Sequence, residues 1–121
     1  CVGFQLLYEG SEESPGARGL GLLEGTVGRL PGSVKLPQMQ WNVLDVTSQN
    51  DLLDSDVDHW MYFVHSYAPP VSENTVATCE YGSTISAAVQ RDALFGVQFH
   101  PEKSGPEGLE LLRRFTVMRA R

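Results

Sequence analysis

The sequence predicts a mixed α/β unit in which strands dominate and helices sit at the two ends. Three observations carry that expectation. Short runs rich in β-branched and aromatic residues recur through the middle of the chain, punctuated by glycine and proline. Helical spacing of apolar residues occurs only near the start and near the end. At 121 residues and 41% hydrophobic content, one small domain can bury a core.

Taken in order, residues 2–9 carry Val2, Phe4, Leu6 and Leu7, which suits one or two turns of buried helix. Gly10, Ser11, Ser14, Pro15 and Gly16 mark a loop around the acidic pair Glu12 and Glu13. Residues 20–36 are apolar pieces cut by Gly21, Gly25, Gly28, Pro31 and Gly32, which reads as short strands with turns. Residues 42–46 form a further candidate strand, and 49–53 a helical turn. The run HWMYFVHSYA at 59–68 is the clearest strand, stopped by Pro69 and Pro70. Residues 75–81 and 84–90 flank Gly82 and Ser83, a hairpin signal. Residues 93–99 make another strand, with Arg91 and Asp92 as its turn. Pro106 stands where a first helical position belongs, followed by Leu111, Leu112, Phe115 and Met118 at helical spacing. No repeat, low-complexity tract or interdomain linker interrupts residues 1–121.

The net charge of −6 argues against nucleic acid or an anionic membrane as the main partner, because both need clustered Lys and Arg. No apolar run reaches the length of a membrane span. Two cysteines, Cys1 and Cys79, build neither a disulfide framework nor a CxxC pair, which favours a reducing, cytoplasmic setting. His59, His65, Cys79 and His100 lack tight ligand spacing, so no metal site is expected.

Chemistry concentrates at the two ends. Within FGVQFHPEKSG, His100 closes an apolar strand, Pro101 fixes the backbone after it, and Glu102 follows two residues on. If that segment stays extended, both side chains project to one side. A carboxylate there holds the imidazole in one tautomer and stabilises it once protonated. Cys1 is then the nucleophile, and His100 its base and later acid. Gly3 suits a tight nucleophile turn that needs small neighbours. Singly, each residue has a plainer reading: a small buried thiol, a satisfied histidine, a solvated carboxylate. Cys1 also stands where a start methionine belongs. Two mechanisms fit such an opening: a terminal cysteine whose α-amino group is the base, or an internal cysteine on a strand-to-helix turn.

CVGFQLL resembles the cysteine turn of class I (triad-type) glutamine amidotransferases, and FHPEKS resembles their His-Pro-Glu element. Within that family, the ordered set SEE, GLGLLEGTVGRL, MQWN, YFVHSY and HPEKSGPEGLELLRRF is similar to the glutaminase subunits of imidazole glycerol phosphate synthases. The resemblance implies a flavodoxin-like mixed sheet flanked by helices, of which residues 1–121 are one partial domain, the C-terminal portion. Cys1 is then an internal nucleophile, preceded in the family by a strand and an oxyanion-donating loop. The triad implied is Cys1, His100 and Glu102. Gln5, Glu13, Ser66 and Tyr67 match glutamine-binding positions, and Trp41 and Lys103 match positions facing a barrel-fold cyclase subunit. The implied reaction hydrolyses glutamine to glutamate and ammonia for histidine biosynthesis, without metal or organic cofactor. The sequence departs from the family at Gln38 and Gln40, where His and Gly are usual, which bears on a local loop and its partner contact. Another triad amidotransferase, a γ-glutamyl hydrolase, or a non-catalytic binding domain on the same fold are the competing expectations.

Overall fold

A computed structural model describes residues 1–118. In chain order it comprises α1 (Val2–Gln5), β1 (Gly10–Ser11), β2 (Thr26–Arg29), β3 (Gln38–Val46), β4 (His59–His65), β5 (Tyr67–Ala68), β6 (Thr75–Glu80), β7 (Thr84–Arg91), β8 (Leu94–Val97), a 3-10 turn (Pro101–Lys103) and α2 (Gly105–Val117). The strands form two sheets. One has five strands in the order β4-β3-β6-β7-β8; the other has three, in the order β1-β2-β5.

Connection length explains much of the larger sheet. Three residues link β6 to β7 and two link β7 to β8, and links that short can join only antiparallel neighbours. All its pairs are antiparallel. The turn into β8 falls on Asp92 and Ala93, one position later than expected, with Asp92 in the left-handed region at φ 54°. Along β4, burial alternates strictly: His59, Met61, Phe63 and His65 point inward, while Trp60, Tyr62 and Val64 do not. β6 and β7 are buried along nearly their whole length, as central strands are. Their apolar face meets Leu44, Met61, Phe63, Phe99 and Leu111 in the main core.

The smaller sheet is built differently. Its only parallel pair is β1 with β2. The glycine-rich stretch between them forms no strand of its own. It runs beside residues 6–9 through Leu20 N–H to Leu6 O, Leu23 N–H to Leu7 O, and Glu9 N–H to Gly25 O. Phe4, Tyr8, Leu23 and Val27 form a second core, closed on the other side by Val89 of β7.

Several expectations change. Mixed strands with a helix at each end are as expected, but the strands of the described residues divide between two sheets rather than one. α1 stops after one turn. β3 begins at Gln38, so Gln38 and Gln40 lie in a strand paired to β4, not in a loop. Residues 49–53 turn without forming a helix; Asn50 folds back onto Leu52 and Leu53 through its own side chain. The 59–68 run is two strands. After His65 the chain leaves β4, and Tyr67–Ala68 pair with β2 instead. Of the apolar side chains expected on α2, only Leu111 is buried; Met118, just past the helix, packs against the core, and Leu112 and Phe115 are exposed. Among the described residues, no helix is long and apolar enough to cross a membrane.

Candidate active site

Cys1 immediately precedes α1, whose single turn is closed by Gln5 N–H to Cys1 O at 3.2 Å. Gly3 is not crowded there. A methyl group added to it would meet nothing nearer than Cys1 Sγ at 3.9 Å, an ordinary contact. The close approach lies one residue on. Phe4 packs so tightly on Gly96 of β8 that a Cβ at 96 would stand 2.5 Å from the ring. That contact sets the one-turn helix, and Cys1 with it, against the large sheet.

His100 arrives from the opposite side. It follows β8 in extended conformation, with its N–H bonded to Tyr62 O of β4 at 2.9 Å. Glu102 is not on that extended segment but in the 3-10 turn after it, and it still reaches back: His100 Nδ1 lies 2.8 Å from Glu102 Oε1. Burial pushes the Glu102 carboxyl up, but hydrogen bonds from its own backbone N–H and from His100 outweigh it and leave it below the ordinary value. A carboxylate so held fixes Nδ1 as the protonated ring nitrogen and leaves Nε2 free for proton transfer.

A cleft of 310 Å³ joins the two sides. Cys1 and His100 line it together with Gln5, Glu13, Ser66 and Tyr67. Every sequence-predicted nucleophile, base and substrate position therefore shares one cavity, with Glu102 bonded to His100. Val2, Pro37, Val64 and His65 complete the wall. Ser66 sits where the chain switches sheets, and its carbonyl accepts from Leu30 N–H at 2.9 Å. Gln5 directs its amide nitrogen to Tyr67 O at 2.9 Å and to Gln98 Oε1 at 3.2 Å. What it can still offer a ligand is its carbonyl oxygen. Tyr67 is in turn held by Arg29, whose Nη1 lies 3.3 Å from its hydroxyl. A larger depression of 740 Å³ around Asp51, Glu73 and Asp92 shares no residue with the cleft and contains no thiol or imidazole.

Trp41 and Lys103 lie outside the cleft. Trp41 is half-exposed on β3, its ring 6.0 Å from that of Tyr62 and facing the start of α2 at Gly105. Lys103 is exposed at the end of the 3-10 turn.

Sequence reasoning missed the residues that hold the His100 loop. Ser104, 1% exposed, donates from Oγ to His100 O at 2.6 Å and accepts from Tyr62 N–H at 3.0 Å. Gly108 lets α2 lie on the same loop, since a Cβ there would fall 1.9 Å from Pro101 O. The only hint was position: a serine before Pro106 at a helix start, and a glycine inside the helix it begins. Gln98 and His65, buried behind Gln5 and Tyr67, carried no signal beyond the inward phase of β4 for His65.

A thiol and an imidazole thus line one cleft, and a carboxylate is bonded to that imidazole. The chain belongs to the class-I glutamine amidotransferase family, whose sequence model matches residues 1–118. It is 49% identical over 121 residues to the imidazole glycerol phosphate synthase subunit HisH of Oceanobacillus iheyensis, covering 98% of this chain and 60% of that protein. The HisH subunit of Methanothermobacter thermautotrophicus is 45% identical, covering 99% of this chain and 62% of that protein. The chloroplastic imidazole glycerol phosphate synthase hisHF of Arabidopsis thaliana is 44% identical over 95% of this chain. This chain thus spans about three-fifths of the HisH subunits it matches. A solved glutamine amidotransferase superposes with a TM-score of 0.63 at 20% identity, over 97% of this chain and 59% of its own, a likeness of fold.

Proposed function

We propose that this chain carries the catalytic triad of a glutaminase that supplies ammonia for imidazole glycerol phosphate synthesis. The observation that supports it best is the 2.8 Å contact from His100 Nδ1 to Glu102 Oε1, on a histidine sharing a cleft with Cys1. The names of the HisH relatives supply the pathway.

In this reading the Cys1 thiolate attacks the side-chain amide carbon of glutamine. The carbon–nitrogen bond breaks as His100 Nε2 hands a proton to the leaving ammonia. Water, deprotonated by His100, then attacks the γ-glutamyl thioester, releasing glutamate and the thiol. Glu102 keeps the ring oriented and stabilises its charged form. Gln5 offers its carbonyl oxygen to the substrate, Glu13 faces its ammonium, and Ser66 and Tyr67 bound its other side. The reaction uses no metal or organic cofactor. Ammonia passes to a cyclase subunit that docks near Trp41 and Lys103, and such a complex works in a cytoplasmic or plastid setting.

The test is Cys1→Ala in the protein expressed from its own gene and assembled with its cyclase. Glutamine-dependent synthesis should be abolished while ammonia-dependent synthesis persists, since only the first needs the thioester. Retained glutamine use would end the triad assignment. Lys103→Ala should lower the ratio of product formed to glutamine consumed while leaving the KM for glutamine unchanged; an unchanged ratio would remove Lys103 from the partner contact.

A further inference from the structure

Behind the cleft runs a line of buried polar groups that the triad does not use. His65, 6% exposed, has Nδ1 at 3.0 Å from Tyr67 O and Nε2 at 2.7 Å from Gln38 Oε1. Gln38 is fully buried, and its Nε2 has no partner among the described residues. The thiol of Cys79, also buried, meets the same carboxamide.

A neutral imidazole has one donor and one acceptor, so it cannot bond two oxygens. Only an imidazolium could, and burial opposes one here: desolvation, against the bond to Tyr67 O, pushes the His65 value down to about 4, and the nearby charge of His100 acts the same way. The oxygen and nitrogen of a carboxamide have the same shape. Turned half a revolution, Gln38 gives its NH2 to His65 Nε2 and presents its oxygen to the Cys79 S–H. The orphaned nitrogen then has its acceptor, and each contact has one donor and one acceptor. The line reads Cys79 S–H to Gln38 C=O, Gln38 NH2 to His65 Nε2, and His65 Nδ1–H to Tyr67 C=O. That same carbonyl also receives Gln5 Nε2 at 2.9 Å.

We propose that His65 is a positioning residue of the glutamine site: held by Gln38 as the neutral Nδ1–H tautomer, it fixes the Tyr67 carbonyl on which Gln5 is anchored. The inference rests on reading the cleft as a glutamine site. Its consequence is directional. With His65 donating, the Tyr67 carbonyl is held from behind, Gln5 cannot turn, and its own carbonyl stays aimed at the ligand. A neutral His65 also leaves His100 as the histidine of the cleft that changes charge during turnover.

The experiment compares His65→Phe, which keeps a ring without nitrogen, with His65→Asn, whose amide nitrogen can replace Nδ1 as donor. Both are made in the protein from its own gene, assembled with the cyclase. His65→Phe should raise the KM for glutamine about tenfold, the loss of one positioning hydrogen bond, with kcat within about threefold of normal. Ammonia-dependent synthesis should not move, and His65→Asn should recover most of the KM. Nitrogen NMR of the unsubstituted protein at neutral pH should find His65 protonated on Nδ1 and bare on Nε2, which serves if His65→Phe does not fold. An unchanged KM in His65→Phe, no recovery in His65→Asn, or an imidazolium or Nε2–H pattern would each overturn the assignment. Failure of the unsubstituted protein to hydrolyse glutamine would instead overturn the glutaminase reading, and the NMR result would be unaffected by it.

Discussion

The two sheets hold themselves together by different means, and the candidate site lies on the seam between them. The five-stranded sheet has strands of up to nine residues, an antiparallel ladder bulged between β6 and β7, and the main core. It carries His100 and Glu102. The three-stranded sheet has strands of two to four residues and a core of five side chains. It is completed by loop contacts, such as the Glu12 carboxylate accepting from Arg29 N–H at 2.8 Å. Beside it lie Glu13 and Tyr67. The His100–Glu102 pair is thus mounted on the stiff part of the molecule and Glu13 and Tyr67 on the softer one. Cys1 and Gln5 bridge them, held to the large sheet by Phe4 on Gly96 and by Gln5 on Gln98. Long ladders open only with global unfolding, whereas short, loop-braced segments open locally.

Each region contains one glycine that tests this contrast. A Cβ on Gly108 would fall 1.9 Å from Pro101 O, and one on Gly19 would fall 1.9 Å from Tyr8 O; both clashes are with backbone. Gly108→Ala should cost at least about 3 kcal/mol and lower the melting transition of the whole domain, because α2 is driven off the main core. Gly19→Ala should leave that transition largely in place and remove hydrogen-exchange protection at Glu9, Gly21 and Leu23. A Gly19→Ala protein that loses protection equally in β3, β4, β6 and β7 would break the comparison: the sheets would then be one cooperative unit.

Acid should act at the seam. The folded value of His65, about 4, lies below its ordinary 6.5, so on acidification the unfolded chain takes up the proton first. The stability it contributes is complete above about pH 6.5, declines as pH falls, and is lost below about pH 4. The whole step is about 3 kcal/mol. Urea denaturation between those limits should therefore show a shallower pH dependence in His65→Asn than in the unsubstituted protein. Parallel curves would mean that His65 is not held neutral. The smallest effect belongs to the rim of the soft sheet. Glu12→Ala removes an exposed acceptor and should cost about 1 kcal/mol, read as faster exchange at Arg29 N–H with the main core untouched. Faster exchange in β6 or β7 as well, or a loss several times larger, would make Glu12 part of a global brace.

The sequence by itself determined the elements with strong periodicity and the residues with strong chemistry. Alternation marked β4, the glycine–serine pair marked the β6–β7 turn, and Pro106 with Leu111 marked α2, because local propensity and one-sided burial agree there. Cys1, His100, Glu102, Gln5, Glu13, Ser66 and Tyr67 were nameable from motif resemblance, since reactive side chains at such spacings rarely recur by accident. Only the tertiary structure decided how they are held. That Tyr67 leaves β4 for a second sheet depends on β2, far away in the chain. Glu102 reaches His100 from a 3-10 turn that no extended-strand argument anticipates. Ser104, Gly108, Gln38 and His65 act through contacts with distant backbone or buried polar partners. Such contacts leave no period in the sequence, because a hydrogen bond or a close approach between remote segments is specified by where the chain returns, not by what stands beside it.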